Sequence, residues 1–212
     1  MARTIGAPEP GGHRLILTKD QLLEPLARWR TNQVVVTTMA TVRLWARFSQ
    51  HPLDFASADS AMGHAADFAL GLALAQPRRQ VICLNGDGSM LMTLGTLVTI
   101  VNAGAKNLVL FVIQNGTYEI TGNQPIPGAR SVDFSAMARA AGFLRVYGFD
   151  LALDYERTLP SVLEGEGPVF VAVKVQPGDE GPLSRRPEEP APYLKCSLAE
   201  STRRLREALL QC

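Results

Sequence analysis

Two apolar runs, Val81-Ile-Cys-Leu84 and Leu108-Val-Leu-Phe-Val-Ile113, constrain this chain more than any other feature. Neither alternates apolar with polar residues. Each therefore suits a strand covered on both faces, as in a parallel sheet. Parallel neighbours need a long crossover, usually helical, and the stretch between the runs reads as one helix, Ser89 to Asn102. Each run is followed by an oxygen-bearing side chain of metal-ligand type. Asp87 stands in Gly86-Asp87-Gly88-Ser89, and Asn115 comes 28 positions later.

The same alternation runs through most of the chain. Thr18-Lys-Asp-Gln21 is a capping box before a helix to about Arg30. Gln33 to Thr37, Leu53 to Ala56, Leu144 to Tyr147 and Val169 to Val175 read as strands. Thr41 to Phe48, His64 to Ala75, Asp133 to Ala141, Leu151 to Leu163 and Ser197 to Gln211 read as helices. Gly116 to Arg130, rich in Gly, Pro, Asn and Thr, is a long loop of the kind that often carries function. Repeated strand-helix-strand units predict an α/β fold: an open, mostly parallel sheet with helices on both faces. In that architecture ligands bind at the carboxyl ends of the strands. The expected divisions are a loose tail over 1–17, one domain over 18–176, and a Pro-rich extension with a helix over 177–212.

Composition bounds the rest. In 212 residues, 46% are hydrophobic, enough for a sizeable core, and a net charge of +1 gives no electrostatic case for nucleic acid or an anionic membrane. No apolar run approaches a membrane span. Met1 to Gly12 has no apolar signal core, and the three cysteines form no paired motif. Cys83 lies within an apolar strand and reads as a small core residue. A cytoplasmic protein is expected.

Chemistry narrows the rim further. A helix that starts at Gly88-Ser89 offers free N–H groups to phosphate. A carboxylate beside phosphate is unfavourable unless a cation joins them, and Mg²⁺ does this with one or two protein oxygens plus phosphate oxygens. Asn115 is a suitable neutral ligand. The glycine after it lets the chain turn and present a backbone carbonyl, that of Thr117. The predicted site is thus a divalent ion holding a diphosphate, with Asp87, Asn115 and Thr117 as metal ligands.

Gly86-Asp87-Gly88 followed by Asn115 resembles the motif of thiamine-diphosphate-dependent enzymes, with Gln114 where the family has a first Asn. Ser60-Ala61-Met62-Gly63-His64-Ala65 is similar to the family stretch whose apolar residue props the cofactor into a V; Met62 would be that residue, beside Gly63. Thr38 to Ala46 resembles the first strand-turn-helix, implicating Thr41 at the diphosphate, with Ala40 where the family's glycine is expected. Asn115 to Pro125 and Gly88 to Gly95 are most similar to the β subunit of sulfopyruvate decarboxylase and to phosphonopyruvate decarboxylases, whose Gly-Gly-Gln-Pro loop here reads Gly122-Asn123-Gln124-Pro125. The resemblance implies thiamine diphosphate and Mg²⁺ as cofactors. It places Gly86, Gly88, Ser89, Thr117, Tyr118 and Ile120 around the cofactor, with Ile120 against the thiazolium. Thr121 stands where some decarboxylases keep an acid.

The resemblance also implies what this chain does not supply. Family sites form between a diphosphate domain and a pyrimidine domain whose Glu activates the cofactor, and no such second domain is legible here. The expected protein is one half of a two-subunit 2-oxo acid decarboxylase, working with a pyrimidine-domain α subunit on a small 2-oxo acid, as a homo- or hetero-oligomer. The competing readings are a non-catalytic cofactor-binding module and a subunit of an acetolactate-synthase-like carboligase, with which Trp45 is compatible. Glu119 reads as a surface or loop-bracing carboxylate and His64 as a helix-start residue with a weaker claim to catalysis. Arg43 and Arg130 are candidates for a sulfonate or phosphonate, because the guanidinium suits such oxyanions.

Overall fold

A computed structural model describes residues 16–58 and 62–211. The tail up to residue 15, with His13, and Ser60, Ala61 and Cys212 lie outside them. In chain order the elements are α1 (Lys19–Trp29), β1 (Val34–Thr38), α2 (Thr41–Phe48), β2 (Asp54–Ala58), α3 (Ala65–Ala75), β3 (Val81–Gly86), α4 (Asp87–Met92), α5 (Gly95–Ala103), β4 (Leu108–Gln114), β5 (Thr117–Tyr118), β6 (Gln124–Pro125), α6 (Phe134–Ala141), β7 (Arg145–Phe149), α7 (Ala152–Leu163), β8 (Val169–Lys174) and α8 (Leu198–Leu210).

Six strands form one sheet in the order β2-β1-β3-β4-β8-β7, and every neighbouring pair is parallel. Alternate residues of the buried strands feed two cores. Val36, Cys83, Leu110 and Phe170 face α3, α5 and α6 through Ala69, Leu97, Ile100 and Ala138. Val35, Ile82, Phe111 and Val171 face α1, α2 and α7 through Leu22, Trp45, Tyr155 and Leu159. The apolar runs do not alternate because both sheet faces are covered. Fully burying each such side chain contributes about 1.5–3 kcal/mol. Buried Ala65, Ala66, Ala69 and Ala73 let α3 lie close to the sheet.

Chain direction across the sheet reverses at β1. The chain steps from β1 outward to β2, then returns past β1 to β3. The carboxyl ends of β1 and β3 therefore diverge into a crevice, where ligands bind in open α/β sheets.

Several boundaries differ from the sequence reading. The helix expected over Ser89 to Asn102 is two helices, α4 and α5, broken at Thr93 and Leu94. The Thr93 hydroxyl donates to the Gly63 carbonyl, so a tertiary bond overrides local helix preference. The seventh strand starts at Arg145, and Leu144 is 98% exposed. The loop after Asn115 folds into a small antiparallel hairpin, β5 with β6.

Both ends of the sheet-forming stretch are tied down. Leu17, assigned by sequence to a loose tail, is fully buried and bridges to Val175, while Gln176 N–H donates to the Leu17 carbonyl at 2.8 Å. The extension lies along α2 and β2, where Ala191 and Leu194 are buried with Val42 and Ala56. Leu205 of α8 enters the α3-side core.

Candidate functional site

The turn β1–α2, the turn β3–α4 and the loop after β4 meet at the crevice. They enclose a cavity of about 220 Å³ lined by Thr41, Met62, Gly86, Asp87, Gly88, Ser89, Asn115, Thr117, Tyr118 and Ile120, all singled out from sequence. Gly63 joins them indirectly: its N–H donates to Ser89 Oγ at 3.0 Å, which fixes the Met62-Gly63 turn against α4.

Asp87 is the electrostatic centre. The residue is 2% exposed, and its carboxylate accepts from Gly88 N–H at 2.8 Å and from Gly116 N–H at 2.7 Å. Burial pushes its carboxyl up to about 6, although these backbone donors pull the other way. Gly116 reaches Asp87 because its φ of +74° reverses the chain after β4, which glycine does without strain. Asn115 closes the other side. Its Oδ1 accepts from Thr117 N–H at 3.1 Å, and its Nδ2 donates to Glu119 Oε2 at 2.8 Å.

Beneath Asn115 lies an ion pair. Glu119 is 3% exposed and Lys19, the first residue of α1, is 8% exposed; the Lys19 ammonium donates to both Glu119 carboxylate oxygens. Burial works against ionisation of Glu119, but Lys19 and Asn115 outweigh it and hold the carboxyl below the usual range. Both side chains line the cavity. Of the surface and bracing roles read for Glu119 from sequence, its burial excludes the first and its contacts match the second.

The remaining walls explain local sequence choices. The left-handed backbone of the β1–α2 turn falls on Met39, φ 50°, while Ala40 is right-handed with φ −57°. The glycine-type conformation thus sits one residue earlier than Ala40, where the resemblance placed it. The Thr41 hydroxyl is committed within this turn, donating to the Thr38 carbonyl at 2.8 Å and accepting from Thr38 N–H at 3.2 Å. The same hydroxyl lies 3.3 Å from the Leu84 carbonyl of β3, so it also ties the turn to the neighbouring strand. Asn123 has φ 61°, a region where Asn is among the best tolerated side chains after Gly, so it takes this position at less cost than most residues would. A Cβ on Gly88 would lie 2.6 Å from Tyr118 Cε1, so only glycine lets the hairpin close over α4.

These donors fit a bound diphosphate with its cation. One buried carboxylate, one amide oxygen and an open backbone at Gly86, where a Cβ would meet nothing within 4 Å, converge on the cavity. Among the described residues no three His, Cys, Asp or Glu side chains converge as an all-protein cage. A single-carboxylate set suits a cation shared with phosphate oxygens.

Residues 34–173 match the family model "Thiamine pyrophosphate enzyme, C-terminal TPP binding domain". The chain belongs to that family. It is 42% identical over 118 residues to the sulfopyruvate decarboxylase subunit beta of Methanothermobacter thermautotrophicus, an alignment covering 56% of this chain and 60% of that subunit. It is 38% identical over 131 residues to a phosphonopyruvate decarboxylase of Streptomyces viridochromogenes, covering 62% of this chain and 32% of that protein. The chain thus spans about a third of the phosphonopyruvate decarboxylase it matches. Its fold is that of the Rhodococcus jostii thiamine diphosphate-dependent 4-hydroxybenzoylformate decarboxylase, with a TM-score of 0.65 at 22% identity, covering 84% of this chain and 36% of the other.

Within this TPP-binding domain, several candidates fall outside the cavity. Arg43 is consumed by the extension: it pairs with Glu189 at 2.7 Å and donates to the Glu180 and Pro182 carbonyls. That overturns its candidacy for a substrate anion. Arg130 is exposed in a separate polar hollow with Lys174. His64 is exposed and bonds Asp67 through Nδ1 at 2.9 Å, and His51 Nδ1 accepts from Leu53 N–H at 3.1 Å. Trp45 is buried, with its indole N–H on Asp54. Lys19 is the site residue that sequence reasoning missed. Its partner is 100 positions away, so no local pattern marks it.

Proposed function

We propose that this chain is the diphosphate-holding subunit of a thiamine-diphosphate-dependent decarboxylase acting on a sulfopyruvate- or phosphonopyruvate-like 2-oxo acid. Mg²⁺ would join the cofactor's diphosphate to Asp87, the Asn115 amide oxygen and the Thr117 carbonyl. The observation that carries this reading is the buried Asp87 carboxylate. It is held by two backbone N–H groups at the sheet's switch point, and among the described residues no cationic side chain hydrogen-bonds to it. A bound divalent ion is the natural counter-charge there.

When bound, the cofactor supplies the carbanion chemistry that releases CO₂ from 2-oxo acids. This chain's residues bind and orient. Asp87 and Asn115 anchor the charged tail, Ser89 holds the Met62-Gly63 turn, and Met62 and Ile120 give the cavity apolar surface that keeps water from the reacting centre. No carboxylate of this chain is assigned to cofactor activation, since Glu119 is locked to Lys19 and Asn115. That group is expected from a pyrimidine-domain partner, in a homo- or hetero-oligomer in the cytoplasm. Among the described residues, no helix is long and apolar enough to cross a membrane.

Calorimetric titration with thiamine diphosphate and Mg²⁺, followed by CO₂ release assays with a pyrimidine-domain chain, tests the reading. Turnover of sulfopyruvate or phosphonopyruvate is expected. Cofactor binding without turnover of any 2-oxo acid would remove decarboxylation, and absence of binding even with the partner would remove the whole reading.

A further inference from the structure

We propose that Glu119, held by Lys19, is a positioning residue that fixes which end of the Asn115 carboxamide faces the metal. The inference rests on the metal reading above. A carboxamide has a donor end and an acceptor end of nearly equal shape, and the hydrogen-bond network decides between them. An ionised carboxylate only accepts. Glu119 Oε2, 2.8 Å from the Asn115 amide, therefore demands the NH₂ end. Thr117 N–H, 3.1 Å from the opposite end, demands the oxygen there. Both constraints give one orientation. Nδ2 is spent on Glu119, and Oδ1 keeps a lone pair for a cation.

Lys19 makes this arrangement possible in a buried place. Glu119 would otherwise be an uncompensated charge next to a site that already contains Asp87. The ammonium on both Glu119 oxygens supplies the counter-charge from α1, outside the loop that carries Asn115. Without Glu119 the orientation would rest on the single Thr117 N–H contact at 3.1 Å, and an amide that turned over would point its NH₂ toward the ion, where it repels rather than ligates. Outer residues that orient metal ligands typically govern 10–100-fold in metal affinity.

The test uses the full chain with saturating thiamine diphosphate and Mn²⁺ as the probe, read by electron paramagnetic resonance. Glu119→Gln, whose own amide no longer dictates the Asn115 orientation, is expected to raise the Mn²⁺ Kd about 10–100-fold. Because that variant leaves Lys19 buried without its partner, Lys19→Met/Glu119→Gln is measured beside it and is expected to show the same loss. Asn115→Asp places two equivalent oxygens at position 115, so adding Glu119→Gln in that background is expected to leave the Mn²⁺ Kd close to that of Asn115→Asp alone, whereas a merely structural or charge role for Glu119 would carry the same loss into both backgrounds. Wild-type affinity in both Glu119→Gln variants, or the full loss persisting in the Asn115→Asp background, overturns the inference while leaving the metal reading intact. A wild-type chain that takes up no Mn²⁺ with thiamine diphosphate overturns the metal reading and this inference with it.

Discussion

Raising the pH should weaken this fold in the absence of metal, and Asp87 sets the size of the effect. Its folded carboxyl titrates near 6 against 3.8 for the free group. The native state therefore holds a proton that the unfolded chain has released between those values. The Asp87 contribution is fully present below about 3.8 and is lost as pH rises through the window to about 6. A displacement of about two pH units corresponds to roughly 3 kcal/mol. For a chain of this length that is a fall in melting temperature of roughly 6–12 °C. Glu119 acts oppositely and elsewhere: its depressed carboxyl contributes stability that is lost only as pH falls below its ordinary range. Scanning calorimetry in chelator from about pH 4 to 7, on wild type and on Asp87→Asn, isolates the Asp87 contribution as the difference between the two curves. Thiamine diphosphate with Mg²⁺ should recover the loss at neutral pH in wild type alone. A wild-type profile that parallels the Asn variant across this window would refute the electrostatic reasoning.

Other perturbations probe separate parts of the site. Gly88→Ala drives a methyl group into the Tyr118 ring and Ile126, and is expected to cost about 1–3 kcal/mol in urea unfolding and to weaken cofactor binding. Lys19→Met leaves Glu119 as a lone buried charge, an expected loss of about 3–5 kcal/mol, visible as a lowered urea midpoint. Arg43→Ala releases the extension from Glu189 and from the Glu180 and Pro182 carbonyls. Faster tryptic cleavage after Arg185, with little change in the rate elsewhere, is the expected result.

The sheet was legible because its signals are local. Continuous apolar runs mark strands buried on both faces, and the Thr18–Gln21 box, Asp133 and Ser197 all cap helices as their chemistry predicts. The turns of the candidate site were legible because the glycines of Gly-Asp-Gly and Asn-Gly mark, within a few residues, a close approach at Gly88 and a chain reversal at Gly116. What escaped depends on distance or on competing bonds. Nothing near Lys19 in sequence announces Glu119. Nothing near Thr93 announces the Gly63 carbonyl that breaks the helix there. Met39 carries a conformation usually given to Gly, which no propensity would assign to it. Arg43 looked available because its partners lie more than 130 positions further on.

The Leu17–Val175 bridge has a consequence for modularity. It sets the way into the sheet and the way out side by side, joined by the Gln176 bond to Leu17. A unit whose two threads share one doorway can be spliced into a longer polypeptide, or fused at either thread to another domain, without disturbing its strand order. The matched segment makes up 32% of the phosphonopyruvate decarboxylase and 60% of the sulfopyruvate decarboxylase subunit beta, a spread that such a layout permits.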